Sequence, residues 1–126
     1  MKPLLIGAAF AAAMAPRAGA AAPPPDGFAA FYKLFAAAAA KDDQKTLASL
    51  TVLSAGLDPD VPITFAGFHA HYLTAKERRC LAAGKPERAI DGTGAATYSV
   101  FCGHLIYVFS KPSAAGWRLT DLSPDD

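Results

Sequence analysis

Three histidines, two cysteines and a few loop carboxylates are the side chains of this 126-residue chain best suited to chemistry. His69 and His71 form His-x-His. On a strand both rings would share one face, as a metal requires, whereas on a helix they stand about 200° apart and cannot chelate together. His104 follows Gly103 within an apolar, strand-like run, where a half-buried imidazole can serve as acid or base near neutral pH. Its partner in such work would be Asp58 or Asp121. Against this stands a plainer role for His104, a structural histidine with its hydrogen bonds met at a strand bend. Asp58 and Asp60 flank Pro59; without further ligand spacing they read as a capped turn rather than a calcium site. Gly92-Thr93-Gly94 follows no strand-to-helix turn and makes no phosphate cradle. No metal site and no cofactor is expected.

Cys80 and Cys102 take their meaning from where the chain goes. Lys2 precedes an apolar run of twelve, Leu4 to Ala15, and Ala18-Gly19-Ala20 is an A-x-A cleavage pattern. The run is shorter than the roughly 20 residues a membrane-spanning helix needs, so residues 1–20 read as a signal peptide. The mature chain would then carry no transmembrane span and reside in the periplasm, or outside the cell. There an even cysteine count points to one disulfide, closing a loop of about 22 residues. Two buried thiols, or a nucleophilic Cys102 with His104 two residues on, are the other readings. Catalytic pairs usually meet in space with a third orienting group, and nothing in the sequence supplies one. Removing Lys2 and Arg17 leaves 10 basic against 11 acidic side chains, a net charge of −1. A near-neutral chain without a basic cluster argues against a nucleic-acid partner.

The positioning elements run helices first, strands last. Pro23-Pro24-Pro25 closes a stiff spacer, 21–25, that cannot be helical. Asp26 then caps a helix whose Phe28, Phe31, Tyr32 and Phe35 form one stripe, continued by alanines. Asp42-Asp43 breaks it and caps a shorter helix with Leu47 and Leu50 inward. Thr51 to Leu53 could form a short strand, and residues 55–62 form a Pro-rich loop. A third helix is expected from Thr64 to about Ala83, stopped by Gly84 and Pro86, with Phe65, Phe68, Tyr72, Arg79 and Cys80 near one side. His69 would sit there with an ordinary hydrogen bond. Thereafter the period becomes two. A short strand spans Arg88–Ile90; Tyr98, Val100 and Cys102 share a face, as do Leu105, Tyr107 and Phe109. Gly103 between them reads as a bulge in one bent strand rather than a hairpin turn. Trp117 and Leu119 lie on one face of a closing strand after the turn at Pro112–Gly116. A Cys80–Cys102 bond would clamp the third helix onto the strand face of Cys102. Residues 26–122 thus read as one α+β domain with a C-terminal tail, 123–126.

This order of elements resembles the NTF2-like (SnoaL-like, cone-shaped) superfamily. The likeness rests on Phe28-Ala29-Ala30-Phe31-Tyr32 through Lys41-Asp42-Asp43, and on Tyr107–Lys111 with Gly116-Trp117-Arg118-Leu119-Thr120-Asp121. It implies N-terminal helices packed on a curved antiparallel sheet, an apolar pocket, and a homodimer through the sheet; a cystatin-like cone is the variant. Such a fold hosts enzymes and binding modules alike. The pocket would be lined by Phe31, Phe35, Phe68, Tyr72 and Tyr98. Three functions follow as expectations: a non-catalytic envelope module binding a small apolar ligand or a protein partner; a lyase or isomerase using His104 with Asp58 or Asp121; or a periplasmic immunity or inhibitor protein. Mass spectrometry of the exported protein should find Ala21 at its N-terminus; an intact Met1 there would refute the signal peptide.

Overall fold

The structure, a computed structural model, describes residues 26–53 and 64–124. The expected signal peptide, the spacer 21–25 and the loop carrying Asp58 and Asp60 lie outside the described residues. Helix α1 (Phe28–Lys41) begins one residue later than Asp26 would have it. Gly27 takes the cap position at φ 82°, a left-handed conformation that glycine adopts without strain. Asp26 still contributes, its Oδ1 accepting from the Phe28 amide at 3.0 Å. The helix ends at Asp42, itself left-handed at φ 52°, whose amide donates to the Ala39 carbonyl. Asp43 caps α2 (Gln44–Ser49) by accepting from the Thr46 amide, and Leu47 is fully buried beneath it.

The expected third helix is two. Helix α3 (Phe65–His71), capped by Thr64 as anticipated, stops at Tyr72; Leu73 turns the corner, and α4 (Ala75–Ala82) starts again behind Thr74. The Thr74 hydroxyl accepts from the Glu77 amide, which leaves Leu73 free to bury completely. Thr74-Ala75-Lys76-Glu77 is the Ser/Thr-x-x-Glu signature of a helix start, set inside an otherwise helical pattern. Only half of that motif forms, because the Glu77 carboxylate is occupied elsewhere: it accepts from the Tyr107 hydroxyl at 2.7 Å.

Among the described residues, four strands follow in sequence order as an open, curved antiparallel sheet: β1 (Glu87–Ile90), β2 (Ala96–Cys102), β3 (Leu105–Ser113) and β4 (Gly116–Pro124). Gly103 and His104 form a tight hairpin turn, with Cys102 paired to Leu105, so the expected bulge is not there. Gly103 has φ 61° and His104 does not share the positive φ, the pattern of a two-residue type II′ turn. Register irregularities fall instead in the β3–β4 pair, at Val108/Phe109 and between Ser110 and Ser113, where Pro112 can donate no ladder bond. Strand β4 continues to Pro124, two residues past the expected boundary. Thr51 makes a single parallel bridge to Leu119 rather than a strand of its own.

The helices cover one face of the sheet. Tyr98, Val100, Cys102, Tyr107, Phe109, Trp117, Leu119 and Leu122 point toward them; Phe101 points the other way and is 48% exposed. Phe109, fully buried, is ringed by α1: the Phe28, Phe31, Tyr32 and Phe35 centroids lie 5.8, 5.8, 5.6 and 5.1 Å away, each edge-on. Helix α4 is fixed three times over. Cys80 is disulfide-bonded to Cys102, with Cα atoms 5.9 Å apart; Glu77 takes the Tyr107 hydroxyl; and the Tyr32 hydroxyl donates to the Leu81 carbonyl at 2.6 Å. Gly84 lets these parts close up, since a Cβ there would lie 2.8 Å from the Tyr32 hydroxyl and 2.7 Å from Val100. The chain-entropy cost of a 22-residue loop is about 3 kcal/mol. The double variant C80A/C102A should lose stability of that order in denaturant unfolding; an unchanged midpoint would show that the bond contributes nothing.

Candidate functional site

Asp26 is where the helix layer meets the sheet. Its Oδ2 accepts from the Tyr98 hydroxyl at 2.6 Å, Arg88 Nε lies 3.7 Å from the same oxygen, and its backbone carbonyl accepts from Trp117 Nε1 at 2.8 Å. One residue thereby ties the start of α1 to β1, β2 and β4. Desolvation pushes the Asp26 carboxyl up, but the Tyr98 hydroxyl, the Phe28 amide and Arg88 together outweigh it, so it ionises below the usual carboxylate range. The Tyr98 phenol is held above its ordinary value by desolvation and then by Asp26. This places the Tyr98 ring flat against Phe28, with centroids 3.7 Å apart and planes 3° from parallel.

Beside that stacked pair lies an open groove of about 390 Å³, lined by Phe28, Ala29, Tyr32, Lys33, Pro86 and Tyr98. It forms where the first turns of α1 pass the segment leading into β1. A volume of this size is at the lower end of the ~300–1,000 Å³ typical of small-molecule sites. Two other hollows are more polar. One, between α1 and α4, holds Arg78, which donates to the Leu73 carbonyl and approaches Asp42 at 3.6 Å. The other, near the β1–β2 turn, holds Asp91, already accepting from the Thr93 amide and hydroxyl and the Ala95 amide, and Lys111, which sits over the Trp117 ring.

Of the five residues expected to line a pocket, only Tyr98 does so. Phe31, Phe35 and Phe68 fill the core, where Phe35 is fully buried, and Tyr72 packs half-buried against it. Phe31 and Phe35 pack edge-on against Phe109, which occupies the interior on their side. Phe28 and Tyr32 were legible as core stripe, but nothing in the sequence marked Ala29, Lys33 or Pro86 as wall. The register of β2 against α1, which decides it, is a tertiary contact.

The candidate acid–base residues are not brought together. His104 is exposed on the β2–β3 turn. Asp121, also exposed, accepts from the Leu122 amide and pairs across the ladder with Val108, four residues or about 13 Å of strand from His104. Asp58 lies outside the described residues. Cys102 carries no free thiol. His69 has the hydrogen bond expected of it: its Nε2 lies 2.8 Å from Asp42 Oδ1. That bond, and Arg78 less strongly, hold the Asp42 carboxyl below its ordinary range despite partial desolvation. Among the described residues no group of three or more His, Cys, Asp or Glu converges to hold a metal, and no helix is long and apolar enough to cross a membrane.

No family model, no curated protein and no solved structure matches the chain. What the groove can do is decided by its own walls.

Because the Asp26 carboxyl ionises more readily folded than unfolded, its charge stabilises the fold above about pH 3.9 and the benefit fades as pH falls through its lower folded value. Asp26→Asn should therefore cost about 1 kcal/mol at pH 7, and the gap between variant and parent should close in acid. Denaturant unfolding at pH 7 and pH 3 checks this; a gap that widens at pH 3 would contradict it.

Proposed function

We propose that this protein is an exported, non-catalytic binding module that holds a small apolar ligand in the groove over Phe28 and Tyr98. The observation that carries this is the composition of the walls: aromatic faces, an alanine and a proline, with one charged side chain, Lys33. Apolar walls with few polar groups are what a binding site for an apolar body needs. Acid–base catalysis would need a proton donor and acceptor within about one hydrogen bond of the same reacting atom. The described part of the groove offers no such pair. The two phenols on its walls are already bonded to protein groups, Tyr32 to the Leu81 carbonyl and Tyr98 to Asp26.

Export is supported by the signal-like N-terminus and by the oxidised Cys80–Cys102 pair, a bond that persists in oxidising compartments. Membership in the NTF2-like superfamily belongs to the same proposal. It is supported by the element order and by helices packed on one face of a curved sheet whose last strand carries Gly116-Trp117-Arg118-Leu119.

The neutral fluorescent probe N-phenyl-1-naphthylamine tests the groove. It should brighten on binding the mature protein. Ala29→Glu, which sets a carboxylate on the apolar wall, should weaken binding about tenfold. The fold should survive, because an acid in the first turn suits the helix dipole. No brightening, or equal brightening with the variant, would remove the groove as the site.

A further inference from the structure

We infer that the ligand of this groove is an apolar carboxylic acid, its anionic head paired with Lys33 and its body laid against Phe28, Tyr32, Pro86 and Tyr98. This rests on the binding reading above and goes further, by fixing the chemistry of the head.

The polar atoms on the walls decide it. Tyr32 and Tyr98 present hydroxyls, but both hydrogens are donated inward, at 2.6 Å in each case, to the Leu81 carbonyl and to Asp26. The ammonium of Lys33 is the side-chain donor that the described wall has left to offer a ligand. Lys33 is exposed, one turn beyond Ala29 on the same flank of α1, and forms no ion pair among the described residues. Helix α1 contains no acid that could neutralise it. An ammonium donates and cannot accept, so it selects a head group that accepts.

The charges nearby in the chain do not offset Lys33. Arg88 faces Tyr98 across the β1–β2 ladder, and Lys85 precedes Pro86. Asp26, the carboxylate bonded to the wall residue Tyr98, is committed to Tyr98, the Phe28 amide and Arg88. Glu87 belongs to the opposite face of the sheet from Arg88, because side chains alternate along a strand. A cationic head would meet the Lys33 ammonium with no carboxylate on the described wall to pair it, and a neutral alcohol would gain less than an anion. A single lysine, a compact point charge rather than a bidentate fork, suits a singly charged head such as a carboxylate.

Displacement of N-phenyl-1-naphthylamine by decanoate, decanol and decyltrimethylammonium tests the head separately from the groove. Decanoate should displace the probe, and Lys33→Gln should weaken decanoate about threefold, the scale of a partly exposed ion pair, while leaving decanol and the probe unchanged. Decyltrimethylammonium should displace less well than decanoate from the parent protein. If the probe binds but Lys33→Gln leaves decanoate unaffected, or the cationic amphiphile competes as well as decanoate, the carboxylate assignment falls and the groove stands. If the probe does not bind the parent protein, both fall together.

Discussion

The insertion of Phe109 into the aromatic stripe of α1 is the contact on which the rest of the molecule depends. Four rings of one helix meet a single fully buried ring of β3, each edge-on at 5.1 to 5.8 Å. Edge-to-face aromatic pairs contribute roughly 0.5–1.5 kcal/mol each beyond the area they bury. A helix gripped through four rings over its first two turns resists rolling or sliding on the sheet. That fixes Phe28 over Tyr98, and the Asp26 network then locks the pair at one end. The groove is the space that α1 leaves uncovered once this docking is complete.

A second set of contacts holds α4, and its members act on different physical grounds. The disulfide restricts the unfolded chain; the Tyr107–Glu77 and Tyr32–Leu81 bonds satisfy phenols that burial would otherwise penalise. Burial pushes the Tyr32 phenol up to about 12, and burial followed by Glu77 pushes Tyr107 up further. Both hydroxyls therefore remain protonated donors throughout the physiological range. For a domain of this size, with a small core, such ties supplement what burial alone supplies. The Tyr32–Leu81 bond, together with that of Tyr98 to Asp26, also leaves the wall of the groove without free phenolic donors, which is why the proposed carboxylate reading turns on Lys33.

What the sequence made legible follows the range of the interactions. The aromatic stripe of α1, the alternation of β2 and β3, and the face shared by Trp117 and Leu119 are local periodicities, and the structure has them. The Cys80–Cys102 bond was inferable from count and compartment. The split of the helix at Leu73 was written locally too, in Thr74 and Glu77, but a pattern of helical spacing running through the break concealed it. At Gly103 two local solutions differed by whether one strand or two pass Cys102; strand pairing, a long-range matter, chose the hairpin. The pocket was the least legible part. Phe31, Phe35 and Phe68 have the character of pocket walls, yet all three are buried core, the first two packed edge-on against Phe109. The walls that remain come from residues 28–33, 86 and 98, segments brought together only by docking.

Function inherits this logic. On the proposed binding reading, a filled interior leaves the ligand the rim between α1 and β1 rather than a cavity under the sheet, and an oxidised cysteine pair suits a protein that works outside the cytosol. Backbone amide shifts in a two-dimensional NMR titration with N-phenyl-1-naphthylamine test this placement most directly. The account predicts perturbations centred on Phe28, Ala29, Tyr32, Lys33 and Tyr98. Perturbations centred on the opposite face of the sheet, around Phe101, Ile106 and Val108, would contradict it.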